Sequence, residues 1–254
     1  GGSNLYYKGL IEKLGVNTHV YRVGTYKSFV EPFTRTDQSP EAKQANQALV
    51  GALWQNWQDD VAKARPKAKI AAYAADPVAA ARAANGNMAK AALDAGLVDK
   101  LGDEAAFGAR VAEIAGEASG DKSNDFAAID FATYVKARKP ANDGQIGVLT
   151  VAGDIVDGEA GPGTAAGDTI SDLLLTALDE KNLKALVVRV DSPGGSVMAS
   201  EKIRSAILQA KSAGLPVVVS MGNVAASGGY WVSTPADMIF AEPDTITGSI
   251  GVFG

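Results

Sequence analysis

Ala185-Leu-Val-Val-Arg-Val190 runs straight into Asp191-Ser-Pro-Gly-Gly-Ser196, and Pro216-Val-Val-Val-Ser-Met221 leads through Gly222 into Asn223-Val-Ala-Ala-Ser-Gly-Gly229. Each is a short, β-branched apolar run closed by a Gly-rich turn, the pattern of a buried strand. Helical spacing follows both turns, over residues 199–213 after the first and from 225–231 onward after the second. Working outward, residues 146–151 read as an earlier strand, 154–167 as a Gly-rich loop, 170–178 as a helix and 238–241 as a closing strand. Strands alternating with helices predict an α/β fold with a parallel sheet and right-handed crossovers.

The chain before residue 137 has a different rhythm. Residues 18–23 alternate like a strand, and 24–33 form an irregular segment. Ser39 followed by Pro40 reads as an N-cap with proline at the first helical position. Ala45, Leu49, Leu53, Trp57 and Val61 then recur at helical spacing, so 41–65 is an amphipathic helix. Asp76-Pro77 repeats the start signal for a shorter helix that Asn85-Gly86 ends. Further helices are expected over 89–95 and 103–115. Ala137-Arg-Lys-Pro-Ala-Asn-Asp-Gly144 is polar and carries both Pro and Gly, a linker composition. The expected division is 1–137, a linker over 138–144, and 145–254.

Composition excludes several chemistries. The 254 residues contain no Cys, which rules out disulfides, thiolate zinc sites and cysteine nucleophiles. A single histidine, His19, allows no multi-histidine metal site within one chain, and no cofactor or metal is called for. A formal net charge of −5 gives no electrostatic reason to bind nucleic acid. No apolar run reaches the roughly 18–20 residues of a membrane span. The Ala-rich stretch 70–84 is interrupted by Asp76, Pro77 and Arg82. The end at Gly248–Gly254 is apolar and Gly-rich, which reads as a piece of a longer chain.

The two Gly-rich turns place backbone N–H groups at helix N-termini, where they can hold negative charge. In acyl transfer that charge is the oxyanion of a tetrahedral intermediate, and one such donor contributes about 3–4 kcal/mol in rate. Four stretches occur in turn along the chain: Thr25-Tyr-Lys-Ser-Phe-Val-Glu-Pro-Phe33, Ser192-Pro-Gly-Gly-Ser196, Ala225-Ala-Ser-Gly-Gly-Tyr-Trp231 and Thr245-Ile-Thr-Gly-Ser-Ile-Gly251. Together they resemble the signal peptide peptidase A (protease IV) family, in its long bacterial form with two tandem related domains. That resemblance covers nearly all of the chain.

The resemblance implies a crotonase/ClpP-like superhelix of ββα units over the second half, with a mainly helical first half belonging to the preceding repeat. It implies a Ser–Lys dyad protease. Ser227 matches the nucleophile, Lys27 the general base and Ser249 a second serine that hydrogen-bonds the lysine. The amides of Gly194, Gly195 and Gly228 match the oxyanion hole. Further implied are apolar peptide substrates (remnant signal peptides), a homo-oligomer that is a tetramer in the tandem form, and the periplasmic side of a bacterial inner membrane. Long members carry a membrane anchor and most of a first domain ahead of this segment, with more chain after it.

The chemistry of the residues agrees. A serine hydroxyl needs a base, and in the absence of a histidine triad a neutral lysine serves. A solvated lysine side chain is neutral in only about one molecule in 2,500 at pH 7, and bringing it near neutrality takes roughly 3 pH units, about 4 kcal/mol. Burial among apolar groups supplies such a penalty, and Tyr26, Phe29, Val30 and Phe33 flank Lys27. A carboxylate beside the amine opposes it, so Glu31 is expected to point away or to have its own partner.

Residue by residue there are plainer readings: Lys27 as a surface lysine, Ser227 and Ser196 as helix caps, His19 as a packing or surface residue, Trp54 and Trp57 as core or interface. Two other functions stay open at this point. A crotonase-like acyl-CoA enzyme would aim the same paired N–H groups at a thioester oxyanion, and a non-catalytic oligomeric scaffold would keep the fold without a reactive serine.

Overall fold

A computed structural model describes residues 4–118, 126–138, 144–180 and 182–252. The chain divides into two compact units, Gly1–Phe107 and Gly108–Gly254. Most of the expected linker, 139–143, lies outside the described residues.

Everything described ahead of residue 144 is helical or irregular apart from one isolated bridge between Glu117 and Phe126. In order come α1 (Lys8–Lys13), α2 (Glu31–Thr34), α3 (Pro40–Ala64), α4 (Ile70–Ala75), α5 (Pro77–Ala83), α6 (Met88–Asp94), α7 (Glu104–Ala115) and α8 (Phe131–Ala137). The caps act as their residue types dictate. Ser39 Oγ accepts the Ala42 N–H at 3.1 Å and starts α3, and Asp76 Oδ1 accepts the Ala79 N–H at 2.8 Å and starts α5. Residues 18–23, expected as a strand, form none. Alternation specifies a strand only where a neighbour takes the backbone hydrogen bonds, and among the described residues this segment pairs with nothing in a sheet. Tyr21 is 95% exposed and Val23 92%. The apolar stripe of α3 is likewise largely uncovered, with Trp54 and Trp57 stacked at 5.0 Å between ring centroids and both exposed.

The second unit carries β1 (Ile146–Ala152), β2 (Ile155–Val156), β3 (Ala165–Ala166), α9 (Gly167–Glu180), β4 (Ala185–Ser192), α10 (Val197–Ser212), β5 (Val217–Ala226), α11 (Gly228–Ser233), β6 (Met238–Phe240) and β7 (Ile246–Gly248). The main sheet runs β1-β4-β5-β6, with β7 also on β5, and every pairing is parallel. This is the α/β architecture that the alternation of apolar runs and Gly-rich turns calls for. The stretch 154–167, expected as a loop, holds the small β2–β3 pair.

One face of the sheet is closed. Leu186, Val188 and Val190 of β4 and Val217 and Val219 of β5 point into a core completed by Leu174, Ile203, Ile207 and Val232 from the helices. Each such side chain, taken fully from water, contributes about 1.5–3 kcal/mol. The opposite face is open at Val148, Arg189 and Phe240, so β4 is buried on one side where its near-continuous apolar run predicts both.

The register of β4 on β5 shifts at the end that matters. Val190 stands opposite Met221, but Ser192 stands opposite Ala225. The extra residues of β5 are absorbed at Gly222 and Asn223, where Asp191 Oδ1 accepts the Val224 N–H at 3.1 Å. A Cβ on Gly222 would lie 2.7 Å from the Asp191 Cγ, so only glycine fits beneath that carboxylate. Beyond the bulge, Val224–Ala226 pairs with β7.

Candidate active site

Ser227 sits between the last residue of β5 and the first of α11. Its φ is 50° and ψ −116°, in the left-handed half of the map that a non-glycine residue enters only under constraint. The constraint is visible: its N–H donates to the Gly248 carbonyl at 2.8 Å, and its carbonyl accepts the Trp231 N–H at 2.9 Å. Although it occupies the N-cap position, its side chain makes no capping bond. Ser196, by contrast, is a working cap: its Oγ accepts the Ala199 N–H at 3.2 Å and donates to Asp157 at 2.5 Å.

The first Gly-rich turn is pressed against this serine. Gly194 has φ 100°, and a Cβ there would fall 2.5 Å from the Gly228 nitrogen and 2.8 Å from Ser227 Cβ. Gly195 is bridged to Ile155. The Ile155 N–H donates to Gly194 O and the Ser196 N–H donates to Ile155 O, both at 2.8 Å. In a parallel bridge those two bonds leave the N–H of the middle residue, Gly195, on the other side. The Gly228 N–H is the first of its helix and has no intrahelical acceptor. Gly194 differs from the expectation for it: its N–H donates to Ser192 Oγ at 3.1 Å. Of the three amides, that of Gly194 is taken up by Ser192, while those of Gly195 and Gly228 have no acceptor within the bridge or the helix.

Ser249 follows Gly248 directly and is itself at φ 53° and exposed. Since Gly248 stands opposite Ala226 and holds the Ser227 N–H, the second unit brings Ser227, Ser249, Gly194, Gly195 and Gly228 to one end of β5. Lys27 belongs to the first unit. It follows a turn in which Gly24 takes φ 101°, its own N–H donates to Gly24 O at 3.3 Å, and its carbonyl accepts from Arg22 at 3.1 Å. Glu31 has partners of its own: it is buried, accepts the Ser39 N–H at 3.1 Å and lies 3.9 Å from the Arg22 guanidinium. Among the described residues Lys27 is exposed, Tyr26 is 56% exposed and Phe29 61%. His19 is exposed as well.

Behind the serine, Trp231 of α11 donates its Nε1–H to Glu201 of α10 at 2.8 Å, and the Arg204 guanidinium lies 5.3 Å from the Trp231 ring centroid. Arg204 first, then Trp231, hold the Glu201 carboxyl down to about 2. Ser192, Ile155 and this clasp escaped the sequence reading, because each acts through a partner distant in the chain.

The family model for peptidase family S49 matches residues 2–116 and 209–254. The chain belongs to this family. Two curated relatives show how far the likeness extends. Protease 4 of Salmonella typhi is 46% identical over 99% of this chain and 41% of its own length. Protease 4 of Haemophilus influenzae is 42% identical over 98% of this chain and 41% of its own length. The chain thus spans about two-fifths of the length of these curated relatives. Among solved structures, ClpP1 from Listeria monocytogenes is similar with a TM-score of 0.30 and 21% identity, over 39% of this chain and 52% of that one. No helix of the described residues is long and apolar enough to cross a membrane.

Proposed function

We propose that this segment is the part of a membrane-associated serine endopeptidase that carries a Ser–Lys dyad, and that the enzyme degrades cleaved signal peptides. The observation that carries the reading is the strained Ser227 turn, with the Gly195 and Gly228 amides beside an uncapped hydroxyl. Family membership favours a peptidase over an acyl-CoA enzyme or a scaffold of the same fold. In this reading Ser227 Oγ attacks the scissile carbonyl carbon while its proton passes to the neutral amine of Lys27. The oxyanion accepts from Gly195 and Gly228. The lysine returns the proton to the departing amine, and water then hydrolyses the acyl-enzyme by the reverse sequence. Ser249 orients the amine by a hydrogen bond that adds no charge.

The same reading assigns 1–137 to the end of a first repeat that supplies the base and 145–254 to the repeat that supplies the nucleophile. It places the protein as a homo-oligomer, a tetramer, on the periplasmic side of a bacterial inner membrane, acting on extended apolar peptides and not on nucleic acid. The test is fluorophosphonate labelling and cleavage of an apolar peptide by the full-length protein. Wild type is expected to label and Ser227→Ala neither to label nor to cleave. Unchanged cleavage by that variant removes the assignment.

A further inference from the structure

Ser192 ends β4 with its side chain wholly buried, and its hydroxyl has two partners. It donates to the Gly153 carbonyl at 2.7 Å and accepts the Gly194 N–H at 3.1 Å. The next residue, Pro193, has no N–H to compete for that acceptor. We propose that Ser192 is a positioning residue that sets the oxyanion donors of this site; the proposal rests on the protease reading of Ser227.

The argument runs through three elements. By taking up the Gly194 N–H, the Ser192 hydroxyl fixes the Pro193–Gly194 peptide unit. The next unit, which carries both the Gly194 carbonyl and the Gly195 N–H, is held by the Ile155 N–H, which donates to Gly194 O at 2.8 Å. That orientation leaves the Gly195 N–H on the side away from Ile155. Through Gly153, the same hydroxyl ties the turn to the loop just before β2, the strand that supplies Ile155. Ser192 also braces the second donor. A Cβ on Gly229 would lie 2.5 Å from Ser192 O and 3.3 Å from Ser192 Cβ, so β4 ends directly against the first turn of α11, beside the Gly228 amide. Ile155 completes the link, with its Cδ1 3.2 Å from where a Gly228 Cβ would stand. One buried hydroxyl therefore governs the turn that carries one donor and packs on the helix that carries the other. Without it, the Gly194 N–H is left buried and unpaired, and the Pro193–Gly194 peptide unit loses the bond that fixes it against the Ile155-held unit.

The experiment compares Ser192→Ala, Ser192→Cys and Ser192→Thr in the full-length protein, with Ser227→Ala alongside. Ser192→Ala is expected to lower kcat by roughly 10- to 100-fold, as for a misplaced reacting group, with KM little changed. A peptide aldehyde, whose hemiacetal oxyanion uses the same donors, is expected to bind more weakly by the same factor. Ser192→Thr keeps the hydroxyl and is expected to restore most of kcat. Should Ser192→Ala not fold, Ser192→Cys fills the space with a weak acceptor and is expected to show the same kcat and aldehyde losses. Wild-type kcat in either folded variant overturns the proposal, as does a rise in KM alone or a kcat loss without weaker aldehyde binding. If Ser227→Ala still cleaves, the protease reading itself falls and the role of Ser192 falls with it. If Ser227→Ala is inactive while the Ser192 variants match wild type, only the role of Ser192 falls.

Discussion

Gly194 illustrates how little freedom the site leaves at single positions. A methyl group there meets the Gly228 nitrogen at 2.5 Å and Ser227 Cβ at 2.8 Å, and the backbone is at φ 100°. Neither neighbour is a flexible side-chain end, so the clash must be relieved by moving the donor or the nucleophile. Gly194→Ala is expected to cost about 1–3 kcal/mol of stability and to lower kcat/KM by 100-fold or more, about the effect of losing an oxyanion donor. Gly161→Ala is the matched control, since a Cβ there meets nothing within 4 Å. Urea unfolding and peptide cleavage on both variants check this, and equal effects at the two glycines would refute it. At this scale the sequence was informative about identity and silent about geometry. Ser227 and the two Gly-Gly pairs were recognisable in their motifs, but which amide is consumed by Ser192 depends on a bond that only the folded turn makes.

Between elements, the clasp of Glu201 on α10 with Trp231 on α11 holds the short helix that follows the nucleophile. The Glu201 carboxyl lies at about 2, below its ordinary value of 4.5, chiefly because Arg204 bonds its charged form. A depressed carboxyl stabilises the fold above the unfolded value, and the contribution is lost as pH falls from about 4.5 through about 2. With the side chain partly exposed, the pair belongs to the surface range of at most about 1 kcal/mol. Glu201→Gln is therefore expected to unfold at a slightly lower urea concentration than wild type at pH 7, the difference closing near pH 2; a gap that persists there would contradict the assignment. Elements with strong local signals were readable: α3 from its Ser39 cap and period, β4 and β5 from β-branched runs. β7 was not, because three residues, Ile246–Gly248, become a strand only by lying on Val224–Ala226. The converse error fell on residues 18–23, whose alternation found no neighbour to pair with, and α4 hid in an Ala-rich run that carries no cap bond.

For the whole molecule, the two halves of the proposed chemistry reside in different compact units, Lys27 in Gly1–Phe107 and Ser227 in Gly108–Gly254. The base is not replaceable by another type of cation: an arginine at that position stays protonated and cannot accept the serine proton. Lys27→Ala and Lys27→Arg are both expected to lower kcat/KM by about 100- to 10,000-fold, the range for a general base. A neutral amine also has to be withdrawn from water, and among the described residues Lys27 and the Tyr26 and Phe29 rings are exposed. On the proposed homo-oligomeric reading, the surface that withdraws the amine from water is expected to form on assembly of the full-length protein. Specific activity of the full-length enzyme is then expected to fall on dilution through the range in which sedimentation shows subunits separating, while far-UV circular dichroism reports that each subunit stays folded. Full activity in separated, folded subunits would mean that one polypeptide shields the amine unaided, and the assembly would lose its part in the chemistry.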